Sequence, residues 1–143
     1  CWPGKALTME MPVPYCPSLE GHTQILRGDY RKLAFIGNDA MSTVFASHSL
    51  EDWETPEQII IVNEWKRVLE CGGNLIIVCP DEKVYAQHCR DSQQIYNQNH
   101  KISEYSLEYF KHHVLPYTGA WETLLEESLI DGYSWNWVGK KLP

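Results

Sequence analysis

Between Asn38 and Pro80 the spacing of apolar residues changes from strand-like to helical and back again. Thr43-Val44-Phe45-Ala46 is a short, partly β-branched run that ends at Ser47-His48, and it predicts a strand. Ile61, Trp65, Val68 and Leu69 then recur at helical spacing. Thr55 stands where an N-cap belongs, Pro56 falls at the first helical position and Gln58 at the capping-box partner position, while Gly72-Gly73 offers a stop. Asn74-Leu75-Ile76-Ile77-Val78-Cys79 is apolar almost throughout, as expected of a strand covered on both faces. The product is a β-α-β unit with two parallel neighbouring strands and a right-handed crossover.

The flanks are less regular. Residues 1–17 hold four prolines, at 3, 12, 14 and 17, so only Ala6 to Met11 suits a short strand, and Thr23 to Leu26 suits another after the Gly21 break. Residues 82–97 carry helical spacing at Val84, Tyr85, Cys89 and Ile95. Ser106 is placed to cap a helix that runs to about Leu115 and stops before Pro116. The tail predicts a hairpin, Trp121 to Ile130 and Tyr133 to Val138 about an Asp131-Gly132 turn, although Glu122 to Ser128 also suits a helix. Tyr133, Trp135 and Trp137 share one face of the last strand, which places them either over a core helix or on a dimer surface.

At 143 residues the chain predicts one domain: a Pro-rich arm (1–17), a core (23–81), a variable insert (82–104), and a helix with a terminal hairpin (105–143). A net charge of -7 argues against a general nucleic-acid partner, which normally needs a basic stripe. No apolar run reaches membrane-spanning length. The five cysteines, Cys1, Cys16, Cys71, Cys79 and Cys89, form no C-x-x-C pair and read as reduced thiols of a cytoplasmic protein. His88, Cys89 and His100 do not have metal-ligand spacing, so no metal is expected.

One ordered series adds to this reading. Gly28-Asp29-Tyr30-Arg31-Lys32-Leu33-Ala34-Phe35 is followed by Val44-Phe45-Ala46-Ser47-His48-Ser49-Leu50-Glu51, Glu64-Trp65-Lys66-Arg67-Val68-Leu69, Gly72-Gly73 and Pro80-Asp81. It resembles the second half of a class I S-adenosylmethionine-dependent methyltransferase, whose members carry an acidic dipeptide, R-x-L-P-F, S-H-V-L-E-H, E-W-x-R-V-L-K-P-G-G and a strand closing on P-D. The resemblance implies an α/β, Rossmann-like fold: a mostly parallel sheet with an antiparallel C-terminal hairpin. The resemblance also leads us to expect that fold to be shortened or degenerate at its amino end, without the usual first strand and helix.

The resemblance also implies S-adenosylmethionine as cofactor and a small-molecule acceptor. Asp29 would contact the adenine amino group with Tyr30 beside it, Glu10 the ribose hydroxyls, Gly4 a remnant glycine turn, and Ala46 and Ser47 the methionine end. Asp29 also suits a simple turn, and residues 1–17 suit an irregular arm without a ligand role, with Trp2 where a glycine is usual. Ser47, His48, Glu51 and Asp52 end the strand where open α/β sheets bind ligands, and His48 is the candidate general base, or else a loop brace. Asp52 stands where the family usually has a second His, and Cys71 where it has Pro. The competing expectation is a methyltransferase-like module without cofactor, acting as a binding or homo-oligomerising domain through an exposed sheet edge or the Tyr133/Trp135/Trp137 face.

Overall fold

The computed structural model describes residues 7–10, 24–27 and 29–143. Two short parallel strands, β1 (Leu7–Glu10) and β2 (Gln24–Arg27), pair in register from Leu7 with Gln24 to Glu10 with Arg27. The main sheet holds β3 (Met41–Ser47), β4 (Leu69–Pro80), β5 (Trp121–Ile130) and β6 (Ser134–Lys141) in the order β3-β4-β6-β5. β3 and β4 are parallel, joined by helix α1 (Thr55–Val68), and β6 runs antiparallel to both β4 and β5.

Helix α1 begins one residue before the position expected. Glu54 is its N-cap, and its backbone N–H donates to the Glu57 carboxylate at 3.4 Å. Gln58 takes no part in capping; it is buried and its Nε2 donates to the carbonyls of Leu50 (3.0 Å) and Trp53 (2.8 Å). Gly72-Gly73 does not end the helix. The chain turns extended at Leu69 (φ -72°, ψ 136°), because β3 already pairs at Met41 with Leu69 before its register shifts to Thr43 with Asn74. The glycines lie inside that irregularity, Gly72 with φ 82°.

Along β4 the side chains of Leu75, Ile77 and Cys79 are buried while those between them are only half covered. Among the described residues, β4 is thus fully buried on one face and half covered on the other. Helix α1 and helix α3 (Leu107–His113) supply Ile61, Val62, Trp65 and Phe110 to that buried face. Trp135 and Trp137 of β6 lie there too, 1% and 0% exposed, with the Phe110 ring 5.5 and 5.4 Å from theirs. The expected dimer surface on these two tryptophans is therefore corrected: they fill the core. The last strand has a glycine for the same reason, since a Cβ on Gly139 would stand 2.0 Å from Cη2 of Trp137.

The hairpin turns at Asp131-Gly132, both with positive φ (51° and 93°), but the loop takes in Tyr133 as well, since Ile130 pairs with Ser134 and the last strand starts there. Residues 121–130 are strand throughout, not helix. The insert is helical only over α2 (Glu82–Asp91), capped by Asp81, whose side chain accepts from Val84 N. Pro116 does not stop the chain's last helix at Leu115: α3 ends at His113, and Leu115–Tyr117 forms a 3₁₀ turn that accepts the proline at its start. No helix among the described residues is long and apolar enough to cross a membrane.

Candidate functional site

The parallel pair β3 and β4 points its carboxyl ends at one edge of the sheet, and the loops leaving that edge carry most of the molecule's interior ionisable groups. Gly4 lies outside the described residues, and Glu10 ends β1 opposite Arg27. Ala46 is buried in β3 and Ser47, its last residue, is exposed.

Asp29 sits at the surface and is engaged by one neighbour. Arg31 grips it with two nitrogens, Nε to Oδ1 at 2.9 Å and Nη2 to Oδ2 at 2.7 Å, and adds its backbone N–H to Oδ1 at 2.9 Å. The hydrogen bonding from Arg31 holds the Asp29 carboxyl below its ordinary range. The Arg31 guanidinium also lies 4.4 Å over the Trp53 ring. Tyr30 faces inward: its hydroxyl donates to Ser49 O at 3.1 Å and accepts from Trp53 Nε1 at 2.5 Å, tying the β3–α1 loop down. Burial pushes the Tyr30 hydroxyl up to about 12.

His48 adopts a left-handed backbone (φ 50°), uncommon for a residue with a side chain, and its N–H donates to Val78 O at 2.8 Å across the strand pair. That conformation turns the chain sharply and leaves the half-exposed imidazole over Glu51, with Nδ1 3.4 Å from Oε1. Glu51 is 1% exposed, and its second oxygen has no hydrogen-bond partner. The Glu51 carboxylate, outweighing burial, raises the His48 pKa above its usual value. Asp52 beside it is raised by burial and by the Glu51 charge.

A second His–carboxylate pair closes the same region. Glu82, the first residue of α2, is 1% exposed and lies 2.5 Å from His100 Nδ1, whose side chain is 5% exposed. Tyr96 donates its hydroxyl to the other Glu82 oxygen, and Glu82 N donates to Tyr105 O at 2.9 Å. Burial alone would depress His100, but the hydrogen bond and charge of Glu82, with Glu51 and Asp52, carry it upward overall. Rings complete the wall: Tyr85 lies 5.2 Å from Tyr133 and 5.3 Å from His100, and His88 4.9 Å from Tyr133.

Among the sequence candidates, Ser47 and His48 thus meet Glu51 and Asp52 at one edge, and Asp29 and Tyr30 adjoin the same loop through Trp53. Glu82 and Tyr96 escaped the sequence reading, and His100 entered it only as a rejected metal ligand, not as a partner of Glu82. Glu82 carried a signal, since it follows the second parallel strand and must fall at that strand's carboxyl end. His100 carried none, lying in a loop without periodicity. No group of three or more His, Cys, Asp and Glu side chains among the described residues is arranged to hold a metal ion.

The fold is that of the class I S-adenosylmethionine-dependent methyltransferases. The chain is similar to a protein of Pyrococcus horikoshii OT3 (TM-score 0.63, 20% identity, over 87% of this chain and 62% of that one). It is also similar to S-adenosylmethionine-dependent methyltransferases of Archaeoglobus fulgidus (0.62, 14%, 85% and 69%) and Aquifex aeolicus (0.58, 12%, 85% and 56%). It therefore spans less than two thirds of the length of the Pyrococcus and Aquifex proteins. No protein-family model and no curated protein matches the sequence.

Proposed function

We propose that this chain takes part in methyl transfer from S-adenosylmethionine to a small-molecule acceptor, and that the β3–α1 loop forms the meeting point of cofactor and acceptor. The observation that carries this reading is His48: a strained left-handed residue at the carboxyl end of a parallel strand, with its imidazole backed by the buried Glu51 carboxylate. Strain of that kind persists where surrounding structure over-determines it. A nucleophilic acceptor must lose a proton around the time that it takes a methyl group, and an imidazole whose pKa is raised by a carboxylate is a competent base above neutral pH. Alignment of the acceptor with the sulfonium supplies most of the remaining acceleration.

For the cofactor, S-adenosylmethionine would supply an electrophilic methyl group when bound. Asp29 would hold the adenine amino group, Tyr30 would brace the loop beneath it, and Ala46 and Ser47 would border the methionine end. Glu10 and Gly4 would serve the ribose and the backbone turn. The fit at Asp29 is tight: each carboxylate oxygen offers two lone pairs, and Arg31 occupies both on each, with its backbone N–H and Nε on Oδ1 and its Nη2 and the same Nε (3.0 Å) on Oδ2. Adenine would use Oδ2, with Arg31 Nε shifting wholly onto Oδ1.

That same clasp favours a second reading, a binding or self-associating module in which Arg31 has replaced the ligand. Calorimetric titration with S-adenosylmethionine and S-adenosylhomocysteine separates the two. Micromolar binding weakened about tenfold by Asp29→Ala, the cost of one charge-assisted hydrogen bond, supports the cofactor site. No heat and no thermal shift at millimolar cofactor refutes it for this chain.

A further inference from the structure

The edge beneath His48 holds two carboxylate oxygens that are buried without a hydrogen-bond partner. Glu51 closes the floor under the half-exposed imidazole, its side chain 2% exposed, and its Oε2 has no hydrogen-bond partner. Asp52, the next residue and half-buried, likewise has Oδ1 buried and unpartnered. A buried polar atom without a partner is costly, and two carboxylate oxygens side by side are costlier still. Glu82 lies within electrostatic reach of Asp52, and Asp131 within reach of His48. The cations in reach are Lys101 and the two imidazoles, His48 and His100. His100 is already committed to Glu82 at 2.5 Å.

The walls have a matching chemistry. Tyr133 lies 6.5 Å from the His48 ring and 5.2 Å from Tyr85, so aromatic rings adjoin the imidazole that faces Glu51. Carboxylates beside aromatic faces recognise an ammonium group, which hydrogen-bonds to the first and is attracted by the quadrupoles of the second. They repel a carboxylate or phosphate head. A divalent metal ion would need its ligands gathered, and the described residues hold no such group of three. An ammonium has three separate N–H donors and tolerates dispersed acceptors.

We propose that the edge formed by the β3–α1 loop and α2 binds the cationic head of a small-molecule amine, with Asp52 and Glu51 as counter-charges and the rings of Tyr133 and Tyr85 beside His48 as the aromatic side. The amine is the methyl acceptor only if the methyl-transfer reading above holds. In that case the protonated amine gives one proton to neutral His48, and its nitrogen lone pair forms a bond to the methyl carbon of the sulfonium donor. The carbon–sulfur bond breaks with its electron pair left on sulfur as a neutral thioether. The N-methylated product leaves as its ammonium, and His48 returns its proton to solvent.

The test is titration of the chain with 2-phenylethylamine, 2-phenylethanol and phenylacetate, which share an aromatic body and differ in head-group charge. Binding is read by calorimetry and by shifts in the amide NMR spectrum. The amine should bind at least about tenfold more tightly than the alcohol, the worth of one charge-assisted hydrogen bond, and phenylacetate should not bind. Asp52→Asn should lose about tenfold for the amine and leave the alcohol unchanged. Since Asp52 is half-exposed, this variant folds even if Glu51→Gln does not. Equal binding of amine and alcohol, tighter binding of phenylacetate, no binding of any probe, or indifference to Asp52→Asn would each overturn the proposal. Stronger binding of N-acetyl-lysine amide than of 2-phenylethylamine would overturn the small-molecule assignment in favour of a protein side chain. Amine binding without any cofactor binding would sink the methyl-transfer reading while the amine site stands.

Discussion

Replacing His100 by Gln should destabilise this protein more than any surface change, because it strands a charge. Glu82 is 1% exposed, and His100 at 2.5 Å supplies its only cationic partner among the described residues. Removing one member of a buried ion pair costs about 3–5 kcal/mol, against about 5–15 kcal/mol of total stability for a domain. The Tyr96 hydroxyl still donates to Glu82 but brings no charge. The double replacement Glu82→Gln with His100→Gln removes both charges and retains a hydrogen bond, so it should recover most of the loss, to within about 1–2 kcal/mol of the parent. Urea unfolding followed by tryptophan fluorescence measures all four corners of the cycle. The pH dependence has a fixed sign. His100 has a raised folded pKa, so its contribution is full below its unfolded value of 6.5 and disappears as pH rises through the folded value. The gap between parent and His100→Gln should thus be widest near pH 6 and narrow under alkaline conditions. A gap below about 1 kcal/mol at pH 6, or one that widens with pH, would refute the reasoning.

Two further predictions concern the frame around the site. Gly139→Ala places a methyl 2.0 Å from Cη2 of the fully buried Trp137, so overpacking of about 1–3 kcal/mol is expected, with a changed near-UV circular dichroism band; an unchanged melting temperature would count against this packing. Gln58→Ala leaves the carbonyls of Leu50 and Trp53 without their side-chain donor and should cost about 2 kcal/mol or more, with faster amide exchange at Trp53; a neutral result would show that water replaces the clamp.

The architecture was legible wherever one residue type had a single physical role. The β3–α1–β4 unit followed from its periodicities, and the hairpin from Asp131-Gly132, whose positive φ values few other pairs accept. Element ends were less legible. Gly72-Gly73 looks like a helix stop, yet β3 pairing at Leu69 converts the chain to strand three residues earlier, a tertiary effect that local propensity does not carry. The site divided in the same way. His48 and Glu51 could be placed at the strand's end from order alone, whereas the Glu82–His100 pair joins residues 18 apart across an irregular loop. Asp29 was visible as a carboxylate, but its partner two residues on decides how much of it remains for a ligand.

The strand order has a consequence for how the protein is made. β5 lies at the sheet edge, and its only strand partner among the described residues, β6, is synthesised after it. While β5 is leaving the ribosome it has no edge to join, and the apolar flank of β4 stands open as well. Both are closed in a single step when β6 slides between them. Until then the nascent chain presents Leu124, Leu125 and Leu129 of β5, which remain exposed even in the finished fold, beside two unpaired strand edges. It is in that interval that a chaperone would be needed most.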